Sequence, residues 1–444
     1  MAEESPGIGE TAPPQVAGLR RDLGLLDATG IGLGAIIGAG IFVVTGVAAG
    51  VAGPAFLVGL FIAGVVASAN ALSSAQLAAR FPRSGGTYEY GYQVLHPWAG
   101  FAAGWMFLSS KIAAAGTVAI GLSGYLDALL PGIPPRGIAV GAIVVFTLLN
   151  YFGVRRSSRA NLVIVSVSLT TLLFFIASGV PSFDAARLAP FAPAGWRGTL
   201  EAAAILFFAY TGYARIATLG EEVRDPKTTI PRAIIATTGV SIVLYAGVAL
   251  VAVGAVGAPA MAASAAPLAV AAGASPLPGA VVVISLGGVT AMLGVILSQL
   301  LGLSRMAFAM ARRGDLPPFL ERIGARSGAP GRAILLVGAI AAVVAGTGTL
   351  SGVATAAAFT ILVYYGIANV AALRMPREAK LYPDVVPLFG AASCALLALS
   401  LDPGTIGVGA LLLATGFVLR IVVRRTVGRG QTIGTKQEGN TPTA

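Results

Sequence analysis

Glycines crowd one apolar stretch of the sequence in a pattern that a regular helix does not favour. Residues 30–42 read GIGLGAIIGAGIF and place glycine at positions 30, 32, 34, 38 and 40. Each glycine inside a helix costs about 1 kcal/mol relative to alanine. A helix that is interrupted inside a protein frees amides and carbonyls, and these can hold the carboxylate and ammonium of a zwitterion. The alternative is that Gly34 and Gly38 only allow two helices to pack closely.

A nucleotide loop is a second alternative for the same stretch. Gly30, Gly32 and Ala35 match the G-x-G-x-x-G/A spacing of a dinucleotide fold, which needs a strand before the glycines and an acidic residue about 20 positions later. No Asp or Glu stands between Asp27 and Glu89, and the flanks are apolar for much longer than a strand. The sequence therefore excludes a nucleotide loop here.

Three further features could carry chemistry inside apolar surroundings. A second possible helix break reads FFAYTGY at 207–213. Lys111 and Arg215 lie within apolar segments, where a charge at a helix centre costs at least about 2.5 kcal/mol and so needs a reason. Arg215 does not release its proton in proteins, and we expect it to cap carbonyls or to pair with Glu222, seven residues later.

The elements that position these residues must lie in a bilayer. The chain is 56% hydrophobic and 11% charged, and its mean hydropathy is +0.85, so it cannot present a charged surface on all sides. Apolar runs predict twelve spans, near 26–50, 54–78, 98–124, 137–154, 161–180, 199–220, 231–256, 279–307, 332–347, 352–373, 384–400 and 404–423.

The basic residues give these spans an orientation. With the spans alternating in direction, 24 of the 29 Lys and Arg residues fall on one side and three on the other, while Lys111 and Arg215 stay within spans. This bias predicts a multi-pass protein of the cell membrane with both termini in the cytoplasm. It also makes nucleic-acid binding unnecessary as an explanation of the net charge of +11.

The remaining composition narrows the function class. The single histidine, His96, falls in a predicted cytoplasmic loop, and no metal-binding motif is present, so we expect neither an enzyme nor a cofactor or metal. The single cysteine, Cys394, excludes an intrachain disulfide. Residues 1–21 and 426–444 are predicted as cytoplasmic tails, and the composition of 427–444 is typical of disorder.

Several segments together resemble the amino acid-polyamine-organocation superfamily, near its cationic amino acid transporter branch. They are GAIIGAGIF at 34–42, FPRSGGTYEY at 81–90, GW at 104–105, FFAYTGY at 207–213, EEVRDPKTTIPRAI at 221–234 and SRMAFAMARRGDLPPFL at 304–320. The resemblance covers residues 22–425. It implies an all-α integral membrane protein of the LeuT-type fold, with twelve transmembrane helices and helices one and six unwound. Inverted repeats would then occupy 22–180 and 198–373, followed by helices eleven and twelve at 383–425.

The resemblance also implies a binding site at the two breaks. The substrate carboxylate would bind amides around Gly38, Ala39 and Gly40, where a half-helix begins and its dipole favours an anion. The ammonium would bind the carbonyls of Ile36, Phe208 and Thr211. The implied substrate-binding set is Ile36, Gly38, Ala39, Gly40, Phe208, Ala209, Thr211 and Gly212.

This sequence differs from its proton-coupled relatives at the position that couples transport to protons. Proton-coupled relatives carry a lysine in the fifth span, and the aligned position here is Ser168. Either Lys111 has taken over that role from the third span, since a desolvated lysine can release its proton near neutral pH, or the protein exchanges substrate without ion coupling.

Charge also constrains the substrate. No Asp or Glu lies deep in a predicted span, so a second cation on the substrate would remain uncompensated beside Lys111 and Arg215. We therefore predict a secondary transporter of neutral amino acids working by alternating access, with protons and the lipid bilayer as its other partners. The alternatives are an exchanger without ion coupling and an amino acid sensor that does not transport.

Overall fold

The fold is helical throughout the part of the chain that the computed structural model describes, which comprises residues 23–38, 40–81, 85–153, 158–217, 223–324 and 329–437. In chain order the helices are α1 Leu25–Ile36, α2 Thr45–Ala52, α3 Phe56–Arg80, α4 Thr87–Tyr90, α5 Pro97–Leu129, α6 Pro135–Tyr151, α7 Ser158–Gly179, α8 Gly195–Tyr210, α9 Ala214–Ala217, α10 Pro226–Ala262, α11 Pro267–Ala272, α12 Ala280–Arg312, α13 Gly331–Thr347, α14 Leu350–Leu373, α15 Val385–Ser400 and α16 Pro403–Gln437.

Helix length and apolar character agree with a multi-pass membrane protein. Seven helical stretches of the described chain are long and apolar enough to cross a bilayer, and the first of them, Leu25–Arg80, combines α1 to α3. Three further apolar helices are shorter, namely α6, α13 and α15. With 17 residues, α6 and α13 each extend about 26 Å, slightly less than the hydrocarbon thickness of about 30 Å.

Local sequence signals account for several helix starts. The Asp27 carboxylate accepts a hydrogen bond from the Gly24 amide at 2.9 Å and caps α1. The ring of His96, the residue before α5, accepts from the Trp98 amide at 3.3 Å, and Pro97 occupies the first helical position. Because proline needs no amide partner at that position, α5 starts sharply. The only histidine of the chain thus serves as a helix cap.

The core is built around α5, which packs along α12 and α14 and also contacts α6 and α13. Small residues permit this close packing. A Cβ added at Gly116 would lie 2.8 Å from a methyl of Val344 on α13, and one at Gly104 would lie 2.9 Å from the sulfur of Met310 on α12. With close packing of this kind, dispersion contacts stabilise helix pairs even where lipid is as apolar as the side chains.

One boundary differs from the sequence prediction. The apolar run predicts that the last span ends at residue 423, and composition predicts disorder over 427–444. Instead α16 continues as a helix to Gln437. A helical segment with few apolar residues leaves no hydropathy signal, so the apolar run ends before the helix does.

Candidate functional site

The first interruption lies in the glycine-rich stretch. α1 stops at Ile36, and Ile37 is extended with φ −70° and ψ 97°. The chain resumes as one π-helical turn, Gly40–Val44, which leads into α2. Ala39 lies outside the described residues. The flanking Gly38 and Gly40 are both buried, so their backbone groups are enclosed by protein, as an interrupted helix in a membrane requires.

The second interruption lies in the 207–213 segment. α8 ends at Tyr210, a 3-10 turn covers Thr211–Tyr213, and α9 follows. The carbonyl of Phe208 accepts both the Thr211 amide and, at 2.9 Å, the Thr211 hydroxyl. A carbonyl oxygen has two lone pairs. A substrate ammonium at Phe208 would therefore have to displace the Thr211 hydroxyl.

The two interruptions touch each other through their glycines. A Cβ added at Gly40 would lie 2.6 Å from the Cα and Cβ of Ala209 on α8. A Cβ added at Gly212 would overlap the carbonyl of Ala35 and crowd the amide of Ile36 on α1. These distances are shorter than any side chain tolerates, so only glycine fits at both positions. The predicted residues Ile36, Gly40, Ala209 and Gly212 are thus brought together.

Two further helices close around the junction. The hydroxyl of Tyr245 on α10 donates to the carbonyl of Ile36 at 2.8 Å, which fixes the end of α1. A methyl of Val295 on α12 lies 3.0 Å from the position of a Cβ on Gly38. Phe208 is 9% exposed. Sequence reasoning missed Tyr245 and Val295, because neither is near the breaks in the chain.

Lys111 lies near the middle of α5. The outer part of α5 faces the π-helical turn, where the Tyr125 hydroxyl donates to the Phe42 carbonyl at 2.7 Å and Gly121 packs on Val43. Lys111 precedes Gly121 by ten residues, or about 15 Å along the helix axis. Its ammonium lies 5.7 Å from the centre of the Phe107 ring. No carboxylate of the described residues is within ion-pair distance of it.

The hydroxyl of Ser168, at the position of the coupling lysine in proton-coupled relatives, and two serine hydroxyls of α12 all bond within their own helices. Ser168 is buried, and its hydroxyl donates to the Ile164 carbonyl of its own helix at 2.8 Å. Ser298 and Ser304 on α12 also donate within their own helix, to the carbonyls of Gly294 at 2.8 Å and Leu301 at 2.9 Å. The side chain of Arg215, and residues 221–222 with its predicted partner Glu222, lie outside the described part of the structure.

A buried ionic cluster was not predicted from the sequence. Asp315, in the turn after α12, is 0% exposed. One carboxylate oxygen accepts the hydroxyls of Tyr88 at 2.8 Å and Tyr92 at 2.5 Å. The other accepts Arg420 at 2.9 Å and Arg424 at 3.2 Å, both from α16. We call these five residues the Asp315 cluster.

The cluster is saturated with hydrogen bonds and aromatic contacts. Arg420 is 1% exposed, donates to the Tyr92 hydroxyl at 2.6 Å and stacks 4.5 Å from the Trp98 ring. Burial, and then the neighbouring Asp315 carboxylate, raise the pKa of Tyr88 and Tyr92 above the usual value of a phenol. Both phenols therefore stay protonated and remain donors to Asp315. Arg420, one of the 24 basic residues counted on the cytoplasmic side, is thus buried and not at the surface.

The groups at this junction can form hydrogen bonds to a small molecule. No group of three or more His, Cys, Asp or Glu side chains that could hold a metal ion occurs among the described residues. What the junction offers is backbone amides and carbonyls at two helix interruptions, bordered by Phe208 and Tyr245.

Comparison with known proteins agrees with this arrangement. The model of the family described as "Amino acid permease" matches residues 27–428. An uncharacterized transporter of Mycobacterium tuberculosis is 41% identical over 432 residues, covering 96% of this chain and 97% of that protein. In Bacillus subtilis, the methylthioribose transporter is 32% identical, with 85% and 87% covered, and the branched-chain amino acid permease BcaP is 31% identical, with 69% and 70% covered.

The match also includes eukaryotic relatives. Cationic amino acid transporter 4 of Mus musculus is 31% identical over 74% of this chain, and that stretch covers 55% of the mouse protein. The predicted resemblance to the amino acid-polyamine-organocation superfamily is confirmed, as is its link to cationic amino acid transporters. A family match over most of the chain, on a helical membrane protein with two interlocked helix breaks, leads to one conclusion: this chain belongs to the amino acid permease family.

Proposed function

We propose that the protein is a secondary transporter of neutral amino acids that works by alternating access in the cell membrane. In this proposal twelve spans form two inverted repeats, at 22–180 and 198–373, with two further helices at 383–425 and both termini in the cytoplasm. The observation that carries it is the contact between the two breaks. Discontinuous helices that meet inside a bundle bring amides and carbonyls together around a zwitterion.

The roles of the site residues follow from helix polarity. The substrate carboxylate binds amides at Gly38, Ala39 and Gly40, because the half-helix that starts there turns its positive end toward the anion. The ammonium binds the carbonyl of Ile36, which already accepts the Tyr245 hydroxyl and has a second lone pair. Phe208 covers the substrate from the outer side.

The preference for neutral amino acids rests on charge. The described spans contain no carboxylate deep in the membrane close to the breaks, and an unpaired second cation on the substrate is costly there. The branched-chain permease among the relatives fits this choice, whereas the cationic transporter does not. A second candidate substrate class is a thioether sugar, because the methylthioribose transporter matches over more of the chain than the branched-chain permease does.

A matched pair of glycine substitutions tests the site. Gly40→Ala places a methyl against Ala209, whereas a Cβ at Gly30, in α1 before the break, meets nothing within 4 Å. We expect Gly40→Ala to abolish uptake into proteoliposomes and to remove the rise in melting temperature that substrate gives the purified protein. Gly30→Ala should retain both. Normal uptake by Gly40→Ala, at wild-type expression and folding, would show that substrate does not bind at the breaks.

A further inference from the structure

An apolar groove lies between α14 and α15. Its floor is α14 and one wall is α15, while Leu95, just before α5, and Ala99, in its first turn, line the inner end. Its volume is 410 Å³, and the Cys394 thiol is the only lining side chain that is not a hydrocarbon. That thiol is buried and accepts a hydrogen bond from the Asn70 side-chain amide of α3 at 3.3 Å, so it presents no free polar group to the groove.

Small side chains create this groove. Ala391, Ala395 and Ala398 are spaced at i, i+4 and i+7 on α15, so they share one helix face. Opposite them α14 contributes Gly366, where an added Cβ would find its nearest neighbour 3.9 Å away, on Cys394. The two helices therefore do not fill the space between them. A narrow hydrocarbon-lined slot of this kind is a poor site for water.

The inner end of the groove carries positive charge. Arg374 stands one helical turn beyond Val370, the innermost floor residue, and it is exposed. No described carboxylate forms an ion pair with it. Beyond Arg374 the chain carries Arg377 and Glu378, and then Lys380 and Asp384, which pair with each other. The mouth of the groove therefore has a surplus of positive charge.

An aromatic ring flanks the same mouth. Trp98 is the neighbour of Ala99, is 39% exposed and packs on Phe417 with ring centres 5.4 Å apart. Tryptophan is enriched at the level of lipid head groups, where its ring contacts hydrocarbon and its N–H contacts water. Arg374 and Trp98 thus mark the inner end of the groove as the head-group level, and the apolar remainder extends into the hydrocarbon.

We infer that the groove binds one acyl chain of an anionic phospholipid, with its phosphate at Arg374. A flexible chain can follow a slot between two helices that is too narrow for a third helix. Basic sites between helices at the cytoplasmic surface suit anionic head groups. This site depends on the protein lying in a bilayer and does not depend on the transported substrate.

The test counts lipid bound to the purified protein. After detergent removal of lipid, native mass spectrometry is used to titrate the protein with phosphatidylglycerol and, separately, with phosphatidylcholine. Wild type should bind one phosphatidylglycerol in preference to phosphatidylcholine. Ala395→Leu fills the groove from its exposed wall and should weaken both lipids by about tenfold or more. Arg374→Gln should remove the preference and leave binding of phosphatidylcholine unchanged.

Two controls carry the same chemical changes elsewhere. Ala414→Leu alters an exposed alanine of α16, and Arg425→Gln removes an exposed cation of the same helix. Both should bind lipid as wild type does. If Ala395→Leu fails to fold, Ala391→Leu fills the same wall. Unchanged lipid binding by the groove variants would overturn the proposal. The proposal would also be overturned if the wild type formed a dimer in the mass spectrum and Ala395→Leu lost the dimer but kept the lipid. A second copy of the chain would then occupy the groove.

Discussion

Lys111 presents the sharpest question at the scale of single residues. The ammonium lies 5.7 Å from the centre of the Phe107 ring, and no carboxylate of the described residues is within ion-pair distance of it. A proton that it carries would act through movement of α5 against α12 and α14. We therefore propose a role in coupling, with a purely structural role in packing as the alternative.

The coupling role predicts a specific defect. Lys111→Met keeps the length of the side chain and removes its charge. It should eliminate the acceleration of uptake by an inward proton gradient while substrate still raises the melting temperature of the purified protein. Lys380→Met makes the same change at the inner surface, where Lys380 pairs with the half-exposed Asp384, and should retain the gradient dependence of uptake.

Two outcomes would assign Lys111 to structure instead. One is a Lys111→Met variant that keeps full gradient dependence. The other is wild-type uptake that ignores proton and sodium gradients and is stimulated by amino acid preloaded on the far side, in which case the protein is an exchanger. A sodium gradient that drives wild-type uptake would decide against both accounts.

At the scale of elements, the Asp315 cluster ties α16 to the rest of the protein. It joins the turn after α12, the segment from α4 to the π-helical turn Gly91–Leu95, and the inner part of α16. The resemblance places the twelfth helix outside the repeats. A buried arginine nevertheless anchors it, and the loss of one partner from such a group leaves an uncompensated charge.

The two arginines of the cluster provide a matched comparison. Arg420 and Arg424 bind the same oxygen of Asp315, but their side chains are 1% and 48% exposed. Arg420→Gln leaves a buried carboxylate short of its principal cation and should destabilise the protein by about 3–5 kcal/mol, whereas Arg424→Gln should cost about 1 kcal/mol or less. Thermal unfolding in detergent compares the two. If both variants lost the same free energy of unfolding, the greater burial of Arg420 would not be the source of the stability.

These elements show what the sequence could and could not predict. Long apolar runs located the ends of α5, α10 and α12 to within one to six residues, because a bilayer demands about 20 apolar residues per span. α4 and α11 were missed, since helices of four and six residues have no periodicity to detect. Asp315 and Arg420 are separated by 105 residues in the sequence, so no local sequence pattern could predict that they form an ion pair.

The same distinction applies at the site. The glycines at 38, 40 and 212 could be singled out because they stand in apolar helices, where glycine is costly. The contact of Gly40 with Ala209 and the bond from Tyr245 to Ile36 depend on how three helices pack, and composition carries no information about that. The predicted role of each residue in binding remains a prediction.

At the scale of the whole molecule, the distribution of charge predicts a selectivity pattern. A substrate that binds the folded state and not the unfolded state raises the melting temperature of the protein. We expect alanine, serine or leucine to raise it, and arginine, lysine and putrescine to have no effect, because no described carboxylate near the breaks could compensate a second cation. Methylthioribose belongs in the same screen. A response to methylthioribose alone, or a strong response to arginine, would replace neutral amino acids as the substrate class.

The contact between the two breaks has a consequence for time course. Ala209 occupies the space beside Gly40, and Ala35 occupies the space beside Gly212, so the two breaks cannot approach each other further, and we expect them to move together in the proposed cycle. A cycle built on this junction has one joint opening step in place of two independent gates. A single turnover would then follow a single exponential, and temperature or substrate would scale that one rate without populating a state in which only one of the two helices has moved.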